Sequence, residues 1–160
     1  DYDGDGYCDP GIFRPSFGLW AISGITRSYF GTSGDLPVSG DYDGDGTSDP
    51  ATFRVSSGLW ALKGITRIYF GSTQDRVVPG DYNGSGISAP AIFRPSSGLW
   101  AIHNLTRIYF GGASDRPVPA DYAGMINDDI AIFRSDSGLW AIKDITRAYY
   151  GSFADVPVTR

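Results

Sequence analysis

Apolar residues in this chain come in runs of four or five, broken by Gly-, Ser- and Asp-rich turns, and the same runs return every 40 residues. Residues 90–94 (PAIFR) are short, apolar and β-rich, and the PSSG that follows is a turn signal. Leu99–Ile102 (LWAI) then reads as a second strand, completing a hairpin. Leu105–Gly111 (LTRIYFG) reads as a third, with Leu105, Arg107 and Tyr109 on one face and Thr106, Ile108 and Phe110 on the other. Arg116–Ala120 (RPVPA) is a short fourth strand leading into the next Asp-Tyr pair. No segment sustains a 3.6-residue apolar period, so helices are expected to be nearly absent.

The copies start at Asp1, Asp41, Asp81 and Asp121, giving repeats 1–40, 41–80, 81–120 and 121–160 with no insertion. Phe-Arg recurs at Phe13, Phe53, Phe93 and Phe133, and GLWA at Gly18, Gly58, Gly98 and Gly138. Four short strands in about 40 residues is the size of one propeller blade. The expected fold is therefore all-β: a β-propeller of four 40-residue, four-stranded blades, with residues 1–160 as a single domain. The chain opens after the place where a fourth-strand segment would sit, and ends in Asp155–Arg160 (DVPVTR), which is such a segment. Val156–Arg160 is thus expected to pair into the first repeat and close the ring, leaving no long free edge. Half of a dimeric eight-blade ring, or a slice of a longer array, fits the same repeat. Trp20, Trp60, Trp100 and Trp140, with the Phe series, are the expected packing between blades.

The repeats diverge in their opening loops. The first reads DYDGDGYCD and the second DYDGDGTSD, with carboxylates at loop positions 1, 3, 5 and 9 and glycines at 4 and 6. Calcium takes six to eight hard oxygen ligands in flexible geometry. Alternating aspartates supply them if the chain curls, and Gly4, Gly6, Gly44 and Gly46 permit the curl. Four carboxylates within nine residues would otherwise repel one another. The expected metal ligands are Asp1, Asp3, Asp5, Tyr7 (through its carbonyl) and Asp9, and likewise Asp41, Asp43, Asp45, Thr47 and Asp49. An EF-hand needs a Glu at loop position 12 and flanking helices, whereas Ile12 and Thr52 stand there inside strands. The third loop keeps Asp81 but has Asn83, Ser85 and Ala89; the fourth has Asp121, Ala123, Met125, Asp128 and Asp129. No tight site is expected in the third, and the fourth stays open.

PVPGDYDGDG-type loops followed by FRPSSG and LWAI resemble the bacterial FG-GAP/VCBS-type repeats, which are related to the calcium-loop blades of integrin α-subunit propellers. The resemblance spans essentially the whole chain. It implies a propeller with calcium held between the first and second strands of a blade, and carries the ligand role onto the ten residues named above. It says little about activity.

Composition adds mainly exclusions. The formal charge is −5, yet setting aside the eight loop aspartates leaves +3, so the acidity is local and no basic face invites nucleic acid. No apolar run reaches membrane-spanning length, so no membrane insertion is expected. Cys8 alone allows no intrachain disulfide, and it aligns with Ser48, Ser88 and Asp128. His103 is the single histidine, and its equivalents are Ser23, Lys63 and Lys143. With no Glu, no second His and no phosphate-binding loop, no catalytic constellation emerges and no enzyme is expected. Arg14, Arg54, Arg94 and Arg134 recur with Asp35, Asp75, Asp115 and Asp155, which reads first as ion pairs stitching the blades. A repeated Arg-plus-Tyr site for a sugar, using Tyr29, Tyr69, Tyr109 and Tyr149, is the functional alternative.

The expectation is a calcium-stabilised, extracellular or cell-surface module of a secreted bacterial protein, excised from a longer chain. It binds a glycan or protein ligand, as a monomer or homodimer. A structural or assembly spacer, or an accessory domain of a carbohydrate-active enzyme, are the alternatives.

Overall fold

The segments ending in FR, those beginning LWA and those reading TR-x-Y are rich in β-branched or aromatic residues, and each forms a strand of four residues. The computed structural model describes residues 1–158. In the first repeat β1 (Gly11–Arg14), β2 (Leu19–Ile22) and β3 (Thr26–Tyr29) form an antiparallel three-stranded sheet. A single 3₁₀ turn, Pro15–Phe17, joins β1 to β2. The second sheet runs β4 (Asp35–Pro37), β5 (Ala51–Arg54), β6 (Leu59–Leu62), β7 (Thr66–Tyr69). The third contains β8 (Arg76–Val77), β9 (Ala91–Arg94), β10 (Leu99–Ile102) and β11 (Thr106–Tyr109). The fourth contains β12 (Asp115–Pro117), β13 (Ala131–Arg134), β14 (Leu139–Ile142) and β15 (Thr146–Tyr149). The protein is all-β, built from four antiparallel sheets of one repeated unit.

Each four-stranded sheet is offset from the sequence repeat. β4, β8 and β12 come from the end of one repeat and pair with the first strand of the next. The registers are equivalent: Asp35 lies opposite Arg54, and Asp115 opposite Arg134. This strand begins earlier than the Arg116–Ala120 span expected from apolarity. The Asp–Arg pairing anchors its start, while Pro117 and Pro119 lack the N–H groups that would prolong the ladder. One bond continues past it, from Val118 N–H to the Ala131 carbonyl (2.9 Å).

The expected clasp is not formed. Val156–Val158 adopt no strand, and among the described residues β1 pairs only with β2. The remainder of the segment, Thr159 and Arg160, lies outside the described residues.

Packing divides the chain into two compact units. The first comprises Asp1–Thr73 with Gly86–Ser88 and holds β1–β7; the second comprises Gln74–Ser85 and the chain from Ala89 onward, and holds β8–β15. In the first, Trp20, Ile22, Val38, Ala51, Phe53, Trp60 and Leu62 are buried. In the second, Val78, Phe93, Trp100, Ile102, Ile130 and Ile132 form a continuous core, against which Ile108 and Phe110 pack. The opposite face of β11 stays out, with Tyr109 exposed.

Phe and Trp lie opposite one another on paired strands in every sheet, with ring centroids 5.0–5.2 Å apart and tilted planes. Each Trp indole N–H donates to the carbonyl of the residue after the repeated Tyr: Phe30, Phe70, Phe110 and Tyr150. The indole is packed without an unpaired donor, so its full apolar area counts, roughly 1.5–3 kcal/mol per large side chain. Among the described residues, no helix is long and apolar enough to cross a membrane.

Candidate metal centre

The two Asp-rich loops lead into β1 and β5, and both curl in the same way. Gly4 and Gly6 have φ of +79° and +87°, and Gly44 and Gly46 have +81° and +89°. The curl is held by the carboxylates themselves. Asp1 accepts from Gly4 N–H through Oδ1 (2.6 Å) and from Gly6 N–H through Oδ2 (2.8 Å). Asp41 does the same with Gly44 (2.6 Å) and Gly46 (2.9 Å). Asp9 accepts from Tyr2 N–H (2.6 Å) and Asp49 from Tyr42 N–H (2.8 Å), which ties the two ends of each loop together.

Folding in this way brings Asp1, Asp3 and Asp9 together, one carboxylate oxygen from each lying within 4.8 Å of the others. Asp41, Asp43 and Asp49 form the equivalent trio. Asp5 and Asp45 belong to neither trio. Through Oδ1 each accepts a backbone N–H two residues on, from Tyr7 or Thr47 (2.8 Å in both), and the Thr47 hydroxyl adds a bond of 2.6 Å to Asp45. The Tyr7 side chain is exposed. Sequence spacing therefore identified both loops, but the capping role of Asp5 and Asp45 depends on which N–H groups the curl turns inward.

Electrostatics distinguish the members of the second loop. Burial pushes the Asp49 carboxyl up; the Tyr42 N–H opposes this, and the charges of Asp43, Asp45 and Asp41 add to the rise. Asp45 is held below the usual range by its bonds from Thr47. Among the described residues no ion pair involves the trio, so negative charge accumulates there and a bound cation would relieve it.

The later loops keep the curl with other groups. Asp81 Oδ1 accepts from Asn83, Gly84 and Ser85 N–H (3.2, 2.9 and 3.2 Å). Asp121 accepts from Met125 and Ile126 N–H (both 3.0 Å), and Asp129 from Tyr122 and Ala123 (2.9 and 3.1 Å). Asp128 leaves its own loop and accepts from Asp81 N–H at 3.0 Å. Burial, with Asp81, Asp121 and Asp129 nearby, raises its carboxyl.

Among the other candidates, Cys8 is an exposed free thiol and His103 is half-buried. The Arg–Asp pairs form within sheets: Arg54 with Asp35, Arg94 with Asp75, and Arg134 with Asp115, at 2.7–2.8 Å. The repeated tyrosines Tyr29, Tyr69, Tyr109 and Tyr149 are all 72–78% exposed. Two of them rim equivalent grooves, one in each unit: Tyr29 with Arg54 and Arg67 (about 420 Å³), and Tyr109 with Arg134 and Arg147 (about 340 Å³). No protein-family model, no curated protein and no solved structure matches the chain.

Proposed function

We propose that this protein is a non-enzymatic, calcium-stabilised binding module of propeller type, an FG-GAP/VCBS-like repeat working outside the cell or at its surface. The observation that carries the reading is the pair of equivalent carboxylate trios, Asp1–Asp3–Asp9 and Asp41–Asp43–Asp49. Calcium–oxygen distances are about 2.3–2.6 Å, so two oxygens sharing one ion lie at most about 5 Å apart. The 4.8 Å limit within each trio fits that span. The donors are hard oxygens, and no His nitrogen or Cys sulfur belongs to either trio, which suits calcium over zinc. The carbonyls of Tyr7 and Thr47, and water, would complete the shell.

In this reading the ion supplies stability, not chemistry. At ten-fold saturation each site contributes about 1.4 kcal/mol. The test is thermal melting in calcium against chelator, with Asp3→Asn and Asp43→Asn as single and double variants. A calcium-dependent rise in Tm that falls stepwise with each substitution is expected. An unchanged Tm in the unsubstituted protein refutes the proposal.

The ligand it would hold is a glycan or a protein, seated in the Tyr29–Arg67 and Tyr109–Arg147 grooves, where an exposed ring and a guanidinium face one opening.

A further inference from the structure

We infer that the two equivalent Tyr–Arg grooves take an acidic sugar, a hexuronate residue of a repeating anionic polysaccharide. This rests on the reading of those grooves as ligand sites and adds to it the charge and chemistry of the occupant.

Each groove lies within one compact unit and is built from the same repeat positions. In the first, the end of β3 supplies Tyr29 at one rim, and the next sheet supplies Leu59, Ala61, Arg54 and Arg67. In the second, the end of β11 supplies Tyr109, and the next sheet supplies Leu139, Ala141, Arg134 and Arg147. Arg67 lies opposite Ala61 in the register, and Arg147 opposite Ala141, so a small side chain stands beside each arginine stem.

The charges in the groove do not cancel. Asp35 is already committed: its side chain is 1% exposed, Oδ1 accepts from Arg54 Nε at 2.8 Å and Oδ2 from Nη2 at 3.0 Å. Asp115 holds Arg134 in the same way, at 2.7 and 2.9 Å. Arg67 and Arg147 are exposed, and among the described residues they make no ion pair. Each groove thus carries one uncompensated positive charge. Beside it stands a second guanidinium that its aspartate fixes in place through Nε and Nη2, which leaves Nη1 facing outward bonds among the described residues.

Such a pair answers a carboxylate, because the planar guanidinium matches it with parallel N–H donors. The tyrosine rings, 76% and 72% exposed, offer an apolar face to the C–H side of a pyranose. Volumes of about 420 and 340 Å³ lie at the small end of ligand sites, which suits a short stretch of sugar. A site that recurs also suits a ligand that recurs, since a polymer of like residues meets like grooves and gains from the second engagement. An acidic protein segment offers carboxylates on flexible stems and no ring for the tyrosine. The two grooves differ in one charge. Hydrogen bonding to Asp115 raises the Arg134 guanidinium most, and the negative charge of Asp136 adds to it, whereas Ser56 takes that place beside the first groove. The Tyr29 groove is therefore the tighter of the two.

Calorimetric titration of the full chain in calcium tests this, with trigalacturonate as ligand and its methyl ester and a triglutamate peptide as controls. Trigalacturonate should bind at least about ten-fold more tightly than the ester, the scale of one charge-assisted hydrogen bond. Added salt should weaken it. Arg67→Gln should weaken the tighter site by about ten-fold and Arg147→Gln the weaker site by about ten-fold, with Arg67→Lys restoring part of the loss. Both arginines are exposed, so unchanged melting of the variants shows that folding is intact. Equal affinity for acid and ester, or affinity untouched by either glutamine variant, overturns the inference and leaves the grooves as neutral sugar sites. Triglutamate binding as tightly as trigalacturonate overturns it in favour of an acidic protein ligand. Binding of none of the three overturns it together with the groove reading, whereas the calcium reading is decided by melting alone.

Discussion

Arg94 grips Asp75 with both arms of its guanidinium, Nε to Oδ1 at 2.7 Å and Nη2 to Oδ2 at 2.9 Å, at the edge of the sheet where β8 pairs with β9. The Asp75 carboxylate has no exposed surface, while the Arg94 side chain keeps about a third of its own. The pair therefore acts less as a surface salt bridge than as the means of burying a carboxylate. Arg94→Ala removes the guanidinium that neutralises the buried carboxylate and should cost about 2–3 kcal/mol, read as a fall in urea midpoint at constant slope. A loss under about 0.5 kcal/mol, the scale of a screened surface pair, would contradict this.

The equivalent Asp35 predicts a pH dependence. Burial alone would raise its carboxyl, but the Arg54 hydrogen bonds, the Thr32 N–H and the Arg54 charge together hold it below the ordinary value of 3.8. A depressed pKa adds stability that is present above the unfolded value and lost as pH falls through the folded one. The stability gap between the unsubstituted protein and Arg54→Gln should thus be full at neutral pH. It should narrow once the pH drops below about 3.8, as denaturation at stepped pH would show. A gap that widens in acid has the wrong sign.

Ile126 occupies the loop position held elsewhere by Gly6, Gly46 and Gly86, and keeps their backbone, with φ +75°. For a β-branched residue that conformation costs about 1–2 kcal/mol, and Ile126 recovers little by burial since it is 80% exposed. Ile126→Gly should raise stability by about 1 kcal/mol after the entropic cost of glycine is deducted. Calorimetry showing a lower Tm would refute the strain argument.

Gly58 is the opposite case. Its φ is +66°, and a Cβ there would stand 2.5 Å from the Gly71 carbonyl oxygen. Backbone on both sides leaves nothing flexible to yield. Gly58→Ala should cost more than the strain of a left-handed residue alone, about 2 kcal/mol or more by thermal melting. A near-neutral change would mean that β6 and β7 separate more readily than their pairing suggests.

Much of this was legible in the sequence because the repeat prints its own alignment. Phe53 and Trp60 sit at fixed offsets in every copy; expected as packing between blades, they face each other across paired strands of one sheet. The two faces of Thr106–Tyr109 followed from alternation, with Ile108 inward and Tyr109 outward. What escaped was contingent on backbone direction. Asp45 is an expected ligand by spacing, and the sequence did not show that its Oδ1 also accepts from the Thr47 N–H and hydroxyl. Asp128 looks like a loop acid but reaches Asp81 N–H, 47 residues away. The clasp was misjudged for another reason. Asp155 repeats the series Asp35, Asp75 and Asp115, but the sequence does not say whether Val156–Val158 extend the series as a strand, and they form none.

The offset between sheet and repeat has a consequence for how such chains grow or shrink. Because β4, β8 and β12 are lent forward by the preceding copy, no 40-residue stretch that starts at a repeat boundary contains a finished sheet. Copies interlock like roof tiles, each overlapping the next. Duplicating or deleting an internal copy leaves each following sheet with a borrowed strand of the same kind. Copy number thus becomes a dimension that can drift without new joints having to be invented.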